Sequence, residues 1–196
     1  MAFEETRERE RAARRRLIIT TARALAEAEG WDAVTTRRLS TEIEYSQPVL
    51  YKHFTGMEHI AEAVAVDGFG ELAEMIQAAR SDAGTAGDAL TRIAHAYLDF
   101  ARDNPAVYDA MFTRVTSLRF AAQDTPPQLR AAFAELHEPV GVIADEHGAD
   151  ALTEVFWAAL HGLVTLTRTG RLRPADDSER LQLLVSQCTN RRETMR

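Results

Sequence analysis

Apolar residues recur along this chain at three- to four-residue spacing, and no stretch alternates as a strand does, so helices are expected throughout. The first should run from about Glu8 to Glu29, with Ile18, Ala22 and Leu25 on one face and Gly30 as its stop. The segment "WDAV" then forms a turn that tucks Trp31 and Val34 inward. Thr35 is placed to cap a short helix through about Ile43, with Leu39 and Ile43 facing in. Ser46 is placed to cap a second short helix, in which Pro48 suits the first turn and Leu50 and Phe54 face in. Thr55 and Glu58 match a capping box opening a long helix to about Ala79. Further helices are expected over about 86–103 and 105–120, with Pro105 in a first turn. The segment 128–147 is helical in composition, but Pro139 and Gly141 should kink or divide it. Two last helices, about 150–169 and 177–189, complete an all-α chain.

The two short helices, joined by two or three residues and backed by a longer helix, make a helix-turn-helix. In that arrangement the second helix enters the DNA major groove with its N-terminal residues at the base edges. The stretch "SQPVLYKHF", residues 46–54, then has a use for each of its side chains. Leu50 and Phe54 hold the helix down. Gln47 can pair with adenine, and Pro48 or Val49 can touch a thymine methyl. Tyr51, Lys52 and His53 can donate to phosphate oxygens, and Ser46 with the free N–H groups of its helix offers another phosphate site.

Charge changes this picture only slightly. The chain carries a net charge of −7, which argues against a nucleic-acid partner until its distribution is considered. Residues 1–60 balance to zero and contain the basic cluster "RAARRR", so the net negative charge comes from the remainder. Lys52 is the only lysine in the chain. An interaction module without DNA binding is the rival reading, but it has no need of caps together with Gln, Tyr, Lys and His on one helix face.

Catalysis finds no support. The six histidines lack a metal-ligand spacing, and there is no Gly-rich phosphate loop or Gly-x-Ser-x-Gly elbow. No cofactor or metal is expected. Cys188, the single cysteine, excludes an intrachain disulfide and fits a reducing compartment. With no apolar run near the ~20 residues of a bilayer span and no signal-peptide pattern, a cytoplasmic location is expected.

Residues 30–60, "GWDAVTTRRLSTEIEYSQPVLYKHFTGMEHI", resemble the DNA-binding domain of the TetR (tetracycline-repressor-like) family of bacterial transcription regulators. Gly30, Thr35, Leu39, Ser46 and the Leu50-Tyr51-x-His53-Phe54 run carry the resemblance, which covers roughly residues 12–60. It implies a three-helix DNA-binding domain over 1–56, with an Arg/Glu-rich arm at 1–16, and a larger helical ligand-binding and dimerisation domain over 57–196. It also implies DNA contacts at Thr35, Thr36 and Arg37 beside those of 46–53. Two positions depart from the pattern: Glu44 stands where the family usually has Gly in the turn, and Met57 where it often has a phosphate-binding Lys.

A fainter resemblance covers about 93–170. "AYLDFARDNPAVYDAMF" and "WAALHGLVTL" are similar to the C-terminal domain of a TetR branch named for its Trp, His and Gly, here Trp157, His161 and Gly162. Tyr97, Phe100, Tyr108, Met111 and Phe112 form an aromatic and thioether set that, with Trp157 and His161, can line an apolar ligand pocket. The same set can equally be ordinary core. The resemblance implies the pocket, an apolar or aromatic inducer, and a four-helix dimer interface from the last two helices. Leu152, Val155, Ala159, Leu163, Leu181, Leu184 and Val185 are its candidates. The function implied is a homodimeric repressor released from a near-palindromic operator by a small molecule.

Overall fold

A computed structural model describes residues 2–114, 118–119, 122–144, 148–173 and 177–189. Among them are helices and turns and no strand. The helices are α1 (Ala2–Glu29), α2 (Thr36–Glu42), α3 (Gln47–Tyr51), α4 (Met57–Arg80), α5 (Ala86–Asp103), α6 (Pro105–Phe112), α7 (Pro127–Ile143), α8 (Ala149–Arg168) and α9 (Asp177–Thr189). A 3-10 turn occupies Trp31–Ala33. No described helix is long and apolar enough to cross a membrane.

The chain forms two compact units, one of Met1–Gly68 with Asn104–Thr125 and one of Phe69–Asp103 with Pro126–Arg196. This division by packing differs from the boundary at residue 56 that the family resemblance implies.

In the first unit α1 packs on α2 and on α6. Its core holds Ile18, Ala22, Leu25, Val34, Leu39, Ile43, Leu50, Phe54 and Ile60, with Val107, Tyr108 and Met111 of α6. Each large side chain removed from water in this way contributes about 1.5–3 kcal/mol. Val34 is buried as expected, whereas Trp31 is only half-buried.

In the second unit α5 is the central helix and packs against α7, α8 and α9. Leu90, Ile93, Ala94, Tyr97, Phe100 and Ala101 give it a buried stripe at helical spacing. Thr85 caps it, accepting from the Asp88 N–H at 3.1 Å, which fixes its start one residue on. Arg80, at the end of α4, pairs within this unit with Glu135 of α7, at 2.7 Å, and with Glu138.

Several local expectations need correction. α1 starts at Ala2 rather than Glu8, because acidic Glu4 and Glu5 suit its first turn and Arg14 pairs with Glu10 one turn back. The helix expected over 105–120 ends at Phe112, with Thr113 as its C-cap. Pro139 does not divide α7 but is buried inside it, and the helix stops at Ile143. The lost hydrogen bond is tolerated where packing on α5 and α8 holds the helix together. The final residues of the expected helix, 145–147, lie outside the described ones. The capping box also fails: the Thr55 hydroxyl pairs with the His59 ring at 2.9 Å instead.

Candidate nucleic-acid interface

The outward face of the α2–α3 pair follows from what the inward face needs. Leu39, Ile43, Leu50 and Phe54 are 0–8% exposed and pin both short helices to the first unit. The remaining side chains of α3 are thereby turned out. Ser46, Gln47, Pro48, Tyr51 and Lys52 are exposed, and Val49 and His53 are half-buried. Tyr51 stands 53% exposed, a large aromatic without a fold-building role.

Thr35 does what its position suggests: its hydroxyl accepts from the Arg38 N–H at 3.2 Å and starts α2. Thr36 is half-buried and Arg37 exposed. Arg38 is a different case from Arg37, because it is held by Glu29 and Glu42, each at 2.9 Å. Ser46 occupies the N-cap position of α3, but its hydroxyl makes no capping bond. Such a hydroxyl is available to an outside acceptor.

The turn between the helices is left-handed at Glu44, with φ 56°, the backbone state that explains the usual preference for glycine there. A side chain in this region costs about 1–2 kcal/mol. Glu44→Gly removes that strain but raises the entropy of the unfolded chain, for a net gain of about 0.5–1 kcal/mol. Thermal unfolding is therefore expected to rise by about 1–4 °C for Glu44→Gly and not for Glu44→Ala. Equal midpoints for the two variants would show that the turn is unstrained.

Basic residues of α1 approach the end of α3. The Arg15 guanidinium lies 4.7 Å over the Phe54 ring. Burial, followed by the charges of Arg11, Arg14, Arg15 and Lys52, holds the His53 imidazole below its usual range. His53 is thus largely neutral near pH 7, and its buried Nδ1 has no hydrogen-bond partner among the described residues. The charges of Arg11, Arg14, Arg15 and Lys52 thus gather near His53, with Arg14 also paired to Glu10 at 3.5 Å.

The other candidates fall in both units. Tyr97, Phe100, Trp157 and His161 belong to the second, where the Trp157 indole N–H donates to the Tyr97 hydroxyl at 3.2 Å. Tyr97 and Phe100 are buried, and burial lowers the pKa of half-buried His161. Tyr108, Met111 and Phe112 belong to the first unit, with the Tyr108 and Phe112 rings 4.7 Å apart. Among the interface candidates, Leu152, Leu181 and Val185 are buried within the protomer, Ala159, Leu163 and Leu184 are half-buried, and Val155 is 61% exposed.

Sequence reasoning missed a set of contacts inside the first unit. The Glu27 carboxylate accepts from the N–H groups of Ala106 and Val107, both at 3.0 Å. Arg23 donates to the Asn104 side chain at 2.8 Å, and the Trp31 indole N–H donates to the Ala106 carbonyl at 2.8 Å. These partners are 75–81 residues apart in sequence, and only an acidic residue on an otherwise apolar helix face hinted at them. A cavity of about 580 Å³ nearby is lined by residues including Trp31, Glu58, Asp109 and Arg114.

The family model for bacterial regulatory proteins of the tetR family matches residues 18–64, and one for a tetracyclin repressor-like C-terminal domain matches residues 90–187. An uncharacterised HTH-type transcriptional regulator of Mycobacterium tuberculosis, Rv0681, is 32% identical over 169 residues, covering 83% of this chain and 73% of that protein. A Rhodococcus protein of unknown function shares the fold with a TM-score of 0.75 at 22% identity, over 90% of this chain and 93% of that one. A TetR variant from Acinetobacter baumannii, solved with minocycline, has a TM-score of 0.63 at 17% identity, over 87% and 93%. The family models and the Mycobacterium relative define a helix-turn-helix transcriptional regulator. Within that class the chain belongs to the tetR family of bacterial regulatory proteins.

Proposed function

We propose that this regulator is a homodimeric repressor that holds a near-palindromic operator and leaves it when a small apolar or aromatic molecule enters its helical body. The observation that carries the DNA half is the outward face of α3, where Gln47, Pro48, Tyr51 and Lys52 stand free of the core. Gln47, Pro48 and Val49 read base edges, while Thr35, Thr36, Arg37, Ser46, Tyr51, Lys52 and His53 hold phosphates.

The dimer half rests on an uncovered apolar stripe. Val155, Ala159, Leu163 and Leu166 follow one another on one face of α8, and Leu183 of α9 is 59% exposed. Gly162 belongs to the same stretch, and a Cβ there would meet nothing within 4 Å, which leaves room for a second copy to approach. Two-fold symmetry then sets two reading helices about one DNA turn, roughly 34–36 Å, apart.

For the inducer, Tyr97 and Trp157 supply paired aromatic surface with polar tips in the second unit, and Phe100 and His161 complete its candidate lining. Tyr108, Met111 and Phe112, the remaining candidates, belong to the first unit, where Tyr108 and Met111 are buried in its core. The minocycline complex of the Acinetobacter protein shows that one protein of this fold takes a small molecule. Release is a population shift, in which ligand favours a spacing of the reading heads that misfits the operator.

The test is selection from a random duplex pool at moderate salt. The natural chain should enrich a near-palindrome, and Gln47→Ala/Tyr51→Ala should not. No enrichment by a folded, dimeric natural chain would instead favour a helical interaction module.

A further inference from the structure

The chain has one lysine, and the fold puts it on the exposed side of α3. Lys52 is the C-cap of α3, exposed beside Tyr51, and every other side-chain cation is a guanidinium or an imidazole. An arginine would serve as well to hold a phosphate, and a guanidinium, always protonated, does not act as a nucleophile. A primary amine at this one position therefore offers chemistry that the rest of the cationic surface does not.

Resting on the DNA-reading function above, we propose that Lys52 is an acylation site through which anionic acyl donors, acyl phosphates, switch operator binding off. Arg11, Arg14 and Arg15, whose charges already reach the neighbouring His53, draw such a donor to this end of α3. The Lys52 ammonium first releases a proton to water. The Nζ lone pair then attacks the acyl carbonyl carbon, a C–N bond forms, and the acyl C–O bond breaks with its electron pair leaving on phosphate. The second amine proton passes to solvent. The product is an uncharged amide. Each protomer loses one positive charge from its phosphate-facing surface, and a bound operator covers the amine, so acylation and DNA exclude each other.

The experiment treats the full chain with acetyl phosphate and maps acetyl groups by peptide mass spectrometry, using the amino terminus as an internal reference. Acetylation of Lys52 is expected, slowed by excess operator duplex and by Arg14→Gln/Arg15→Gln. The Lys52-acetylated dimer should bind its operator about 10- to 30-fold more weakly at physiological salt, with the salt slope reduced by about 2. Lys52→Arg should keep, after the same treatment, the affinity and salt slope it had before it, although its amino terminus still reacts. An unmodified Lys52 beside a reacted amino terminus overturns the site. An acetylated Lys52 with unchanged affinity and salt slope overturns the switch. A natural, untreated chain that selects no duplex overturns the operator reading itself, a result distinct from either.

Discussion

Glu27→Ala is expected to lower stability by about 2–4 kcal/mol, which for a chain of this size is a fall of roughly 5–15 °C in the unfolding midpoint. The reason lies at the start of α6. Pro105 brings no N–H, and Asn104, the residue in position to cap, makes no capping bond. Its side chain instead accepts from Arg23. The next two N–H groups, of Ala106 and Val107, belong to buried residues and are satisfied by the two oxygens of Glu27, one each. Glu27 is thus a cap supplied from another helix, and a carboxylate also suits the positive end of α6. Removing it strands both donors where water reaches them poorly. Glu27→Gln keeps one acceptor oxygen and should lose about half as much. Thermal unfolding followed by circular dichroism of both variants checks the order. A Glu27→Ala midpoint equal to that of the natural chain would mean that water replaces the carboxylate at no cost.

The same contacts show where the sequence stopped being informative. Leu39, Ile43, Leu50 and Phe54 were legible because a helix period of three to four assigns an inner face without knowledge of the partner. The outward set of α3 followed by elimination. The α5 bounds, 86–103, and the α9 bounds, 177–189, were legible too, since loops with Gly, Pro and Asp flank them. Periodicity fails where two apolar surfaces share one helix. On α8, Leu152 is buried in the protomer and Val155 is not, yet both belong to one broad stripe, and no local signal tells core from outer face. Leu166 and Leu183, exposed on α8 and α9, were missed for the same reason. Charge fails in a similar way. Arg37 and Arg38 are neighbours of identical type, but only Arg38 is claimed by Glu29 and Glu42, and one of those partners comes from α1. Pro139 does not divide its helix because α7 packs against both α5 and α8, whereas the breaker rule describes an isolated helix.

Gly68→Ala is expected to destabilise the chain, although the same change in an exposed helix interior gains about 1 kcal/mol. Gly68 lies in α4 with α6 directly against it. A Cβ there would stand 2.4 Å from Val107 Cγ1 and 2.9 Å from Met111 Sδ. The Met111 side chain is flexible and can yield. Val107 is fully buried and β-branched, so its methyl has no other rotamer to take without moving α6. Overpacking of this kind costs about 1–3 kcal/mol, and Gly68→Leu should cost more still. Val107→Ala alone should also destabilise, by opening a cavity. The two changes together should cost about 1–2 kcal/mol less than their sum, because each supplies what the other lacks. Urea unfolding of the four proteins closes this cycle, and strict additivity would show that the two side chains do not meet. Gly162→Ala is the control. Nothing in the protomer lies within 4 Å of a Cβ there, so the substitution should gain the ordinary helix increment in a monomer. A loss at Gly162 that grows with protein concentration would place a second copy of α8 against it.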